Sequence, residues 1–295
     1  MENNFLGIKN TSFKSSKFLI LSIPVELTTS FGKGTQFAPE NIIFSSKQLE
    51  FFDEQFKIEP YKYGIKTLEP LQIDVKNSHS MLKKIENSIK KLIKERKIII
   101  SIGGEHTITY GIIKGFKHFY ENFNVLILDA HADLRDKYQN SKFSHACVSR
   151  RITEEDLKVH ILGVRNMSKE EFLFTESNKE NIKIFYSYQM KKTDWRKEIV
   201  EKLPSGKYYL SIDADFFDPS LIPEVGTPEP GGFFWDETIE FFENFILRKD
   251  IELIGFDFVE LSPKRLDSPS SFISAKIIYK LIGLLSLNED KNHRK

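Results

Sequence analysis

Short apolar runs alternate with longer amphipathic segments along most of the chain. The runs that we predict as strands are residues 17–24, 97–102, 124–128, 158–164, 182–185, 207–212 and 251–258, with one or two further strands between residues 61 and 75. The helices are predicted at residues 38–52, 80–95, 107–116, 146–153, 169–175, 194–203, 235–247 and 271–285. Strands that are apolar throughout are buried on both faces, and strands that alternate with helices form parallel sheets. The alternation therefore predicts an α/β fold with a mainly parallel sheet covered by helices on both faces.

The chain has the size and composition of one α/β domain. Its 295 residues are 40% hydrophobic, which is enough for an extensive core. No linker, repeat or low-complexity segment divides the sequence. We expect residues 1–287 to form a single domain and residues 288–295 to form a disordered polar tail.

The charge balance and the cysteine content limit the partners of the protein. Lys and Arg number 43 against 42 Asp and Glu, so no electrostatic argument favours a nucleic acid or an anionic membrane, and a small molecule is the expected partner. The single cysteine, Cys147, excludes an intramolecular disulfide and fits a reducing compartment, so we expect a cytoplasmic protein. No apolar run approaches the roughly 20 residues of a membrane span, and residues 1–4 lack the basic-then-apolar order of a secretory signal.

Residues 129–133 carry three side chains of the metal-ligand type at alternate positions. They directly follow the predicted strand 124–128. If this segment stays extended, the side chains of Asp129, His131 and Asp133 project to one side, because side-chain direction in an extended chain repeats every two residues. A helix would also bring Asp129 and Asp133 together, but four consecutive apolar residues followed by alternating polar ones favour a strand. We therefore expect the three side chains to face one pocket.

Polar side chains also follow other predicted strands directly. They are His106 after Gly103-Gly104-Glu105, Asp213 and Asp215 after strand 207–212, and Glu260 after strand 251–258. In open α/β sheets the carboxyl ends of the strands line one crevice, so segments far apart in sequence meet at a single edge. The sequence therefore predicts a binding site at that edge.

The charge of the predicted site limits its chemistry. Four aspartates would share the edge: Asp129, Asp133, Asp213 and Asp215. Four unpaired carboxylates within a few ångströms would be severely unfavourable, and we find no lysine or arginine at a matching strand end, whereas two divalent cations would balance them. With His106 and His131 completing the shells, carboxylate-dominated ligation favours Mn²⁺, although Co²⁺, Ni²⁺ or Zn²⁺ could occupy the site in vitro. Two ions roughly 3.5–4 Å apart can lower the pKa of a shared water, which implies hydrolysis.

Six motifs, taken in order, resemble those of the ureohydrolase (arginase/agmatinase) family. They are Gly103-Gly-Glu-His106, Asp129-Ala-His-Ala-Asp133, Ser144-His-Ala-Cys147, Ser211-Ile-Asp-Ala-Asp-Phe-Phe-Asp-Pro219, Gly226-Thr-Pro-Glu-Pro-Gly-Gly232 and Val259-Glu260. The resemblance implies the three-layer α/β/α arginase fold, two Mn²⁺ ions per subunit, hydrolysis of a guanidino group to an amine and urea, and a homo-oligomer, commonly a trimer or hexamer. Glu105 and Thr107 depart from the commoner aspartate and serine, but neither position is a metal ligand in the family.

The resemblance also implies a role for each residue of the site. His106 corresponds to a ligand of one metal and His131 to a ligand of the other. The remaining ligands are the bridging Asp129 and Asp213 and the terminal Asp133 and Asp215. His145 occupies the position of the catalytic histidine, whose unperturbed pKa near neutrality suits proton transfer. Glu260 matches the carboxylate that holds the substrate guanidinium through two hydrogen bonds. The catalytic candidates are therefore His145, Glu260 and Asp133.

The choice of substrate within the family depends on the loops. The segments 144–147 and 227–232 look more like agmatinases than arginases, and residues 135–143 lack the asparagine and serine pattern with which arginases hold an α-amino acid. Agmatine, a small cationic guanidino compound that would yield putrescine and urea, is therefore favoured. N1-aminopropylagmatine is a close alternative because it presents the same guanidinium with a cationic tail. Guanidinobutyrate would need a cation at the far end of the pocket, which Arg135 or Lys137 could supply.

Other interpretations stay open from the sequence. Asp213 and Asp215 could serve only as turn formers, and His145 and Glu260 have no diagnostic neighbours apart from the family match. A family member that binds a metal or metabolite without catalysis is the non-enzymatic alternative, since fold alone does not imply function. The presence of all six ligand-type residues argues against it. A zinc-dependent deacetylase on a related fold would use a single metal and a different ligand set.

Overall fold

The computed structural model describes residues 4–9, 11–73, 77–95 and 97–293, with the side chains of 289–293 excepted. The strands are β1 (Phe18–Ile23), β2 (Ile65–Thr67), β3 (Ile98–Gly103), β4 (Asn124–Leu128), β5 (Lys158–Val164), β6 (Ile182–Tyr186), β7 (Gly206–Asp213) and β8 (Ile251–Val259). The α-helices are α1 (Ala38–Ser46), α2 (Ser78–Leu92), α3 (Thr107–Lys117), α4 (Val148–Thr153), α5 (Lys169–Ser177), α6 (Ser187–Met190), α7 (Trp195–Lys202), α8 (Trp235–Ile246) and α9 (Pro269–His293). The strand predictions agree with these bounds to within about two residues. β2 lies in the predicted interval 61–75, of which residues 74 and 75 fall outside the described ranges.

The strands form one parallel sheet in the order β2-β1-β3-β8-β7-β4-β5-β6. The last two strands of the chain, β7 and β8, are inserted between β3 and β4. The centre of the sheet is therefore β3-β8-β7-β4, and the carboxyl ends of these four neighbours lie side by side. This arrangement confirms the predicted parallel α/β architecture and places the strand-end motifs next to one another.

Two apolar layers cover the sheet, because successive side chains of each strand point to opposite faces. In β4, Val125 and Ile127 pack with residues of α2, α3 and α4, whereas Leu126 and Leu128 pack with residues of α1, α7, α8 and α9. Each fully buried aliphatic side chain contributes about 1.5–3 kcal/mol. Burial on both faces explains why the strands are apolar throughout, and it gives the three-layer α/β/α fold that the resemblance implies.

Helix α1 is shorter than predicted. It ends at Ser46, whereas the sequence pattern extended it to about Phe52. The chain turns soon afterwards because Asp53 Oδ1 accepts hydrogen bonds from the backbone N–H groups of Gln55 and Phe56, both at 3.0 Å. An aspartate that bonds to the backbone two and three residues on favours a turn over a helix. The short helix α6 was not predicted at all.

Helix α9 corrects the prediction of a disordered tail from residue 288. It continues to His293, well beyond the predicted end at 285, and residues 294–295 lie outside the described ranges. Its segment Pro269–Asn288 is long and apolar enough to cross a membrane. This length corrects the prediction that no apolar run approaches a membrane span. In this fold 78% of the apolar window is buried, as in a core helix of a folded domain.

Helix α9 also carries a buried ion pair. Lys280 Nζ donates to Asp53 Oδ1 at 2.8 Å, and the two side chains are only 3% and 2% exposed. Removing one partner of a buried pair leaves an uncompensated charge in the core. We predict that Lys280→Met lowers the free energy of unfolding by about 3–5 kcal/mol, measured by urea denaturation.

Two companion variants test the cause. Lys276, one turn earlier on α9 and half-buried, lies over the Trp235 ring and provides the matched control. Lys276→Met should change stability by less than about 0.5 kcal/mol. The double variant Asp53→Asn with Lys280→Met should recover part of the loss. Equal losses for Lys276→Met and Lys280→Met would show that the ion pair is not the cause.

Candidate metal centre

Four adjacent strands supply the polar residues of the site. His106 follows β3, Glu260 follows β8, Asp213 ends β7 and Asp129 follows β4. The turn after β3 requires glycine at 104, because a Cβ there would lie 1.9 Å from the carbonyl oxygen of Val25. This close approach packs the turn against the end of β1. The prediction that distant segments converge at one sheet edge is confirmed.

The segment after β4 is extended only at its start. Asp133 has a φ of 53°, in the left-handed region, so the simple alternation that we predicted fails at this residue. Its side chain nevertheless reaches the same cluster, with Asp133 Oδ2 3.2 Å from His106 Nδ1. Glu260 also has a left-handed backbone, with a φ of 61°. Such conformations cost about 1–3 kcal/mol and tend to occur at functional sites, where they direct a side chain that regular backbone would misplace.

Three carboxylates surround the imidazole of His106. Its Nδ1 atom lies 3.2 Å from one oxygen each of Asp129, Asp133 and Asp213, and the side chain is almost completely buried. Neither His106 Nδ1 nor Asp129 Oδ2 has a hydrogen-bond partner of acceptable geometry among the described residues. Two buried polar atoms that face each other without a bond indicate a missing group between them.

A second cluster shares Asp129 with the first. His131 Nδ1 lies 2.9 Å from Asp215 Oδ2 and 3.6 Å from Asp129 Oδ1, whereas Asp129 Oδ2 faces His106. Backbone donors hold these carboxylates in place. The N–H of His131 bonds to Asp129 Oδ1 at 2.6 Å, and the N–H of Asp215 bonds to Asp213 Oδ1 at 2.9 Å. The ligand-type atoms of each cluster lie within 4.8 Å of one another, so the site has room for two ions, one on each side of Asp129.

Burial and like charges shift the pKa values of the site. Burial lowers the pKa of His106, but the three surrounding carboxylates outweigh it and raise that pKa well above its usual value. Burial and the charge of Asp129 raise the pKa of Asp133 to about 7. Burial, Asp215 and Asp129 raise the pKa of Asp213 well above its usual range. The carboxylates are thus held together at a cost that bound cations would relieve.

A buried hydroxyl relay fixes the orientation of His106. Ser211 Oγ donates to Asp257 Oδ1 at 2.6 Å, so its oxygen accepts from His106 Nε2 at 3.1 Å. Thr109 and Tyr209 also donate to Asp257, both at 2.9 Å. With its proton on Nε2, the imidazole directs the Nδ1 lone pair at the carboxylates, as a metal-bound histidine does. The donor set, the unpaired buried atoms and the tautomer all fit divalent cations.

Sequence reasoning missed Asp257, although a signal was present. An aspartate inside the otherwise apolar run 251–258 is unusual for a buried strand, and Asp257 is fully buried in β8. Buried carboxylates need partners, so the position pointed to a polar network. The serine two residues before Asp213 was a second signal, since alternate residues of a strand share a face.

Arg165 corrects the claim that no cation sits at a matching strand end. It directly follows β5, and its guanidinium donates to backbone carbonyls, among them Glu229 O in a neighbouring loop at 3.1 Å and Gly163 O within β5 at 3.2 Å. It also donates to Asp215 O at 2.5 Å. Its hydrogen bonds go to carbonyls and not to carboxylates, so Arg165 holds the loops together and offsets only part of the negative charge.

Residues of both clusters line one cavity, namely Asp213, His131 and Asp215, together with Asp133, His145 and Glu260. His106 and Asp129 are buried and are not among the lining residues. Glu260 Oε1 accepts the N–H of His106 at 2.5 Å, and burial raises the pKa of Glu260 to about 8 despite that bond. Burial lowers the pKa of His145, which therefore favours the neutral form. Among the described residues that line the cavity, acidic groups dominate and Arg135 is the sole lysine or arginine. The cavity therefore favours a small cation.

Glu105, which sequence reasoning set aside, has a definite place in the site. Its buried carboxylate accepts the N–H groups of Leu27 and Thr28, both at 2.5 Å, and the hydroxyl of Thr28 at 2.9 Å. Thr28 in turn contacts His145. Cys147 is fully buried, and burial raises its thiol pKa to about 12, which is unsuited to a nucleophile.

Comparison with known proteins agrees with this geometry. Residues 16–283 match the sequence model of the Arginase family. The N(1)-aminopropylagmatine ureohydrolase of Synechocystis is 36% identical over 280 residues, which are 92% of this chain and 90% of that protein. The agmatinase of Pyrococcus horikoshii is 35% identical over 95% of both chains. The crystal structure of the agmatine ureohydrolase of Thermoplasma volcanium has a TM-score of 0.86 at 27% identity, covering 96% of this chain and 94% of that one.

Metal counting tests the ligand set. After reconstitution with Mn²⁺ and removal of free metal, elemental analysis should find two ions per chain. Asp215→Asn should reduce the content to about one, because Asp215 touches only the His131 cluster. Asp129→Asn should retain the least metal, because its two oxygens face both clusters.

The control is a histidine outside the cavity. His118, which bonds to Glu86 on α2, offers the same ring without the carboxylate cluster. His118→Asn should keep two ions per chain, and unchanged unfolding temperatures would show that the variants are folded. Two ions retained in Asp129→Asn would contradict the shared-ligand arrangement.

Proposed function

The chain belongs to the arginase family and is a ureohydrolase, and on that premise we propose that it is a binuclear manganese enzyme that cleaves agmatine to putrescine and urea. One observation carries this proposal above the others. Two histidine and aspartate clusters share Asp129, and three of their residues, His131, Asp213 and Asp215, line a cavity that also contains the buried carboxylate of Glu260. Such a cavity can hold two cations and, beside them, a cationic substrate.

The ligands that we propose are those of the two clusters together with Asp133. His106, Asp129, Asp133 and Asp213 would hold one ion, and His131, Asp129, Asp213 and Asp215 would hold the other. Carboxylate-rich ligation with one imidazole per ion favours Mn²⁺ over metals that prefer thiolates. When bound, the ions would lower the pKa of water and so supply a nucleophile at neutral pH.

Glu260 is proposed to orient the substrate. A guanidinium is planar and can donate two parallel hydrogen bonds to one carboxylate. The backbone N–H of His106 occupies only one of the acceptor positions of Glu260, so the carboxylate retains capacity for the substrate. Because the same bond ties Glu260 to the residue that precedes α3, the bound guanidino carbon would be held beside the His106 cluster.

His145 is proposed to carry a proton between water and the departing amine. In the overall reaction the water oxygen bonds to the guanidino carbon, the bond from that carbon to the substituted nitrogen breaks, and both water hydrogens end on the amine. One proton must therefore travel across the site. A neutral imidazole in the wall of the cavity can accept that proton and release it to the leaving nitrogen.

The substrate tail distinguishes agmatine from its competitors. Arg135 is the cation that a carboxylate tail such as that of guanidinobutyrate would need, but it is partly engaged, with its guanidinium 5.4 Å over the Tyr138 ring and its Nε 3.9 Å from Glu171 Oε2. This engagement favours an amine tail. N1-aminopropylagmatine remains the second candidate, since the relative from Synechocystis is named for hydrolysis of that compound.

Location and assembly belong to the same proposal. We place the enzyme in the cytoplasm, in keeping with its single buried cysteine. We also retain a homo-oligomer, a trimer or hexamer, as the expected assembly. Size-exclusion chromatography with light scattering would measure the latter directly.

A substrate panel tests the function. Mn²⁺-loaded protein should release urea from agmatine faster than from arginine or guanidinobutyrate. N1-aminopropylagmatine, the second candidate substrate, is assayed beside them. Urea and the amine should form in equal amounts. Absence of urea from all four compounds, with two ions bound per chain, would support the non-catalytic alternative and reject our proposal.

The role of Glu260 has its own test. Glu260→Gln keeps the shape but removes the charge that pairs with the guanidinium. We expect kcat/KM for agmatine to fall roughly 10²-fold or more, since a charged hydrogen-bonded pair is worth several kcal/mol in a buried site. The variant should still bind two metal ions per chain. The control is Glu86→Gln on α2, a buried carboxylate outside the cavity, which should leave kcat/KM within about twofold.

A further inference from the structure

The buried carboxylate of Glu105 organises the loop beside His145. Its Oε2 atom accepts the N–H groups of Leu27 and Thr28 at 2.5 Å, and its Oε1 atom accepts the Thr28 hydroxyl at 2.9 Å. The residue has no exposed surface. Three donors from one loop on a single buried carboxylate fix the position of Thr28 relative to β3 and α3.

The hydroxyl of Thr28 has only one proton to give. The neighbouring acceptors are the Glu105 carboxylate, the hydroxyl of Thr107, which lies 3.2 Å away, and His145 Nδ1 at 3.3 Å when that nitrogen is unprotonated. An ionised carboxylate is the stronger acceptor, so the Thr28 proton goes to Glu105. Thr28 Oγ1 is then an acceptor only, and it accepts the backbone N–H of His145 at 3.0 Å.

The same oxygen lies 3.3 Å from His145 Nδ1. Because Thr28 Oγ1 cannot donate, a lone pair on Nδ1 would face a lone pair on oxygen, whereas an N–H would make a hydrogen bond. On the opposite side of the ring, Nε2 lies 3.4 Å from Ser30 Oγ, which can donate. Both contacts favour a proton on Nδ1 and a lone pair on Nε2.

We propose that Glu105 and Thr28 are positioning residues that hold His145 as the Nδ1–H tautomer, with the Nε2 lone pair directed into the cavity. The inference rests on the proposed function, because it concerns the proton that His145 carries. Ser30 and His145 both line the cavity, and Nε2 is the ring nitrogen on the Ser30 side. In the opposite tautomer that nitrogen would hold a proton and could not accept one.

The tautomer can be measured directly. In protein with ¹⁵N-labelled histidine, two-dimensional NMR distinguishes a protonated from an unprotonated ring nitrogen, and His145→Asn identifies the signals of His145. We expect Nδ1–H in the native protein. Thr28→Val, which keeps the shape but removes the hydroxyl, should shift His145 toward Nε2–H or a mixture, whereas Thr28→Ser should retain Nδ1–H.

The matched control is a threonine outside the relay. Thr153 Oγ1 donates to Ser149 O within α4, the helix that follows His145. Thr153→Val makes the same chemical change and should leave the His145 signals unaltered. If Thr28 merely braced its loop, Thr28→Val would lower the unfolding temperature without changing the tautomer, and that result would overturn the proposal.

Kinetics supply the second measurement. Thr28→Val should lower kcat for agmatine roughly 10²-fold with little change in KM, the size of effect expected for a misassigned proton carrier, and Thr28→Ser should restore most of it. The NMR result does not depend on turnover. Absence of urea in every variant would therefore refute the proposed function and leave the tautomer assignment standing, whereas native Nε2–H, with Ser144 donating to Nδ1 across 3.4 Å, would refute the inference alone.

Discussion

The repulsion among buried carboxylates is the constraint on which this structure depends. Three of them lie 3.2 Å from one imidazole nitrogen at the edge of a sheet, and a fourth, Asp215, lies close by. Arg165 offsets part of the negative charge, but its N–H groups donate to backbone carbonyls and not to the carboxylates. A chain that folds with such a cluster needs cations to stabilise it. The same cations would supply the chemistry of the centre. Cations bound at this edge would therefore stabilise the fold as well as complete the site.

The topology makes that concentration of charge possible. Because β7 and β8 enter the sheet between β3 and β4, residues more than 150 positions apart, such as His106 and Glu260, end on adjacent strands and are joined by a hydrogen bond. The apolar strands give the side chains a rigid base, and within the site left-handed backbone occurs at Asp133 and Glu260, which follow β4 and β8. Regular secondary structure thus places the ligands approximately, and two irregular residues complete the geometry.

The parts of the structure that could be predicted from sequence are those with a periodic or compositional signal. Apolar runs predicted the strands. Ligand-type residues directly after these runs predicted that the site lies at the edge formed by the carboxyl ends of the strands. The side chain of Asp133 reaches the site as predicted, but its left-handed backbone could not be predicted, since tertiary contacts impose the positive φ. The same holds for Glu105, whose partners lie 77 and 78 residues away. Contacts of that range leave no local pattern in the sequence.

The same physical rule applies to two histidines, His106 in the candidate metal centre and His145 in the wall of the cavity. Behind His106 a serine gives its proton to Asp257, and beside His145 a threonine gives its proton to Glu105. In both cases a buried carboxylate turns a hydroxyl into an acceptor, and the hydroxyl then favours a proton on the ring nitrogen that faces it. The opposite nitrogen keeps its lone pair, aimed at the carboxylate cluster for His106 and into the cavity for His145. A carboxylate next to the imidazole of His145 would give the same tautomer but would also raise its pKa and favour the charged ring. The intervening hydroxyl of Thr28 selects the tautomer while burial keeps His145 neutral, which suits a proton acceptor. His106 differs, because three carboxylates beside its Nδ1 raise its pKa, so the neutral form of a metal ligand would require bound cations.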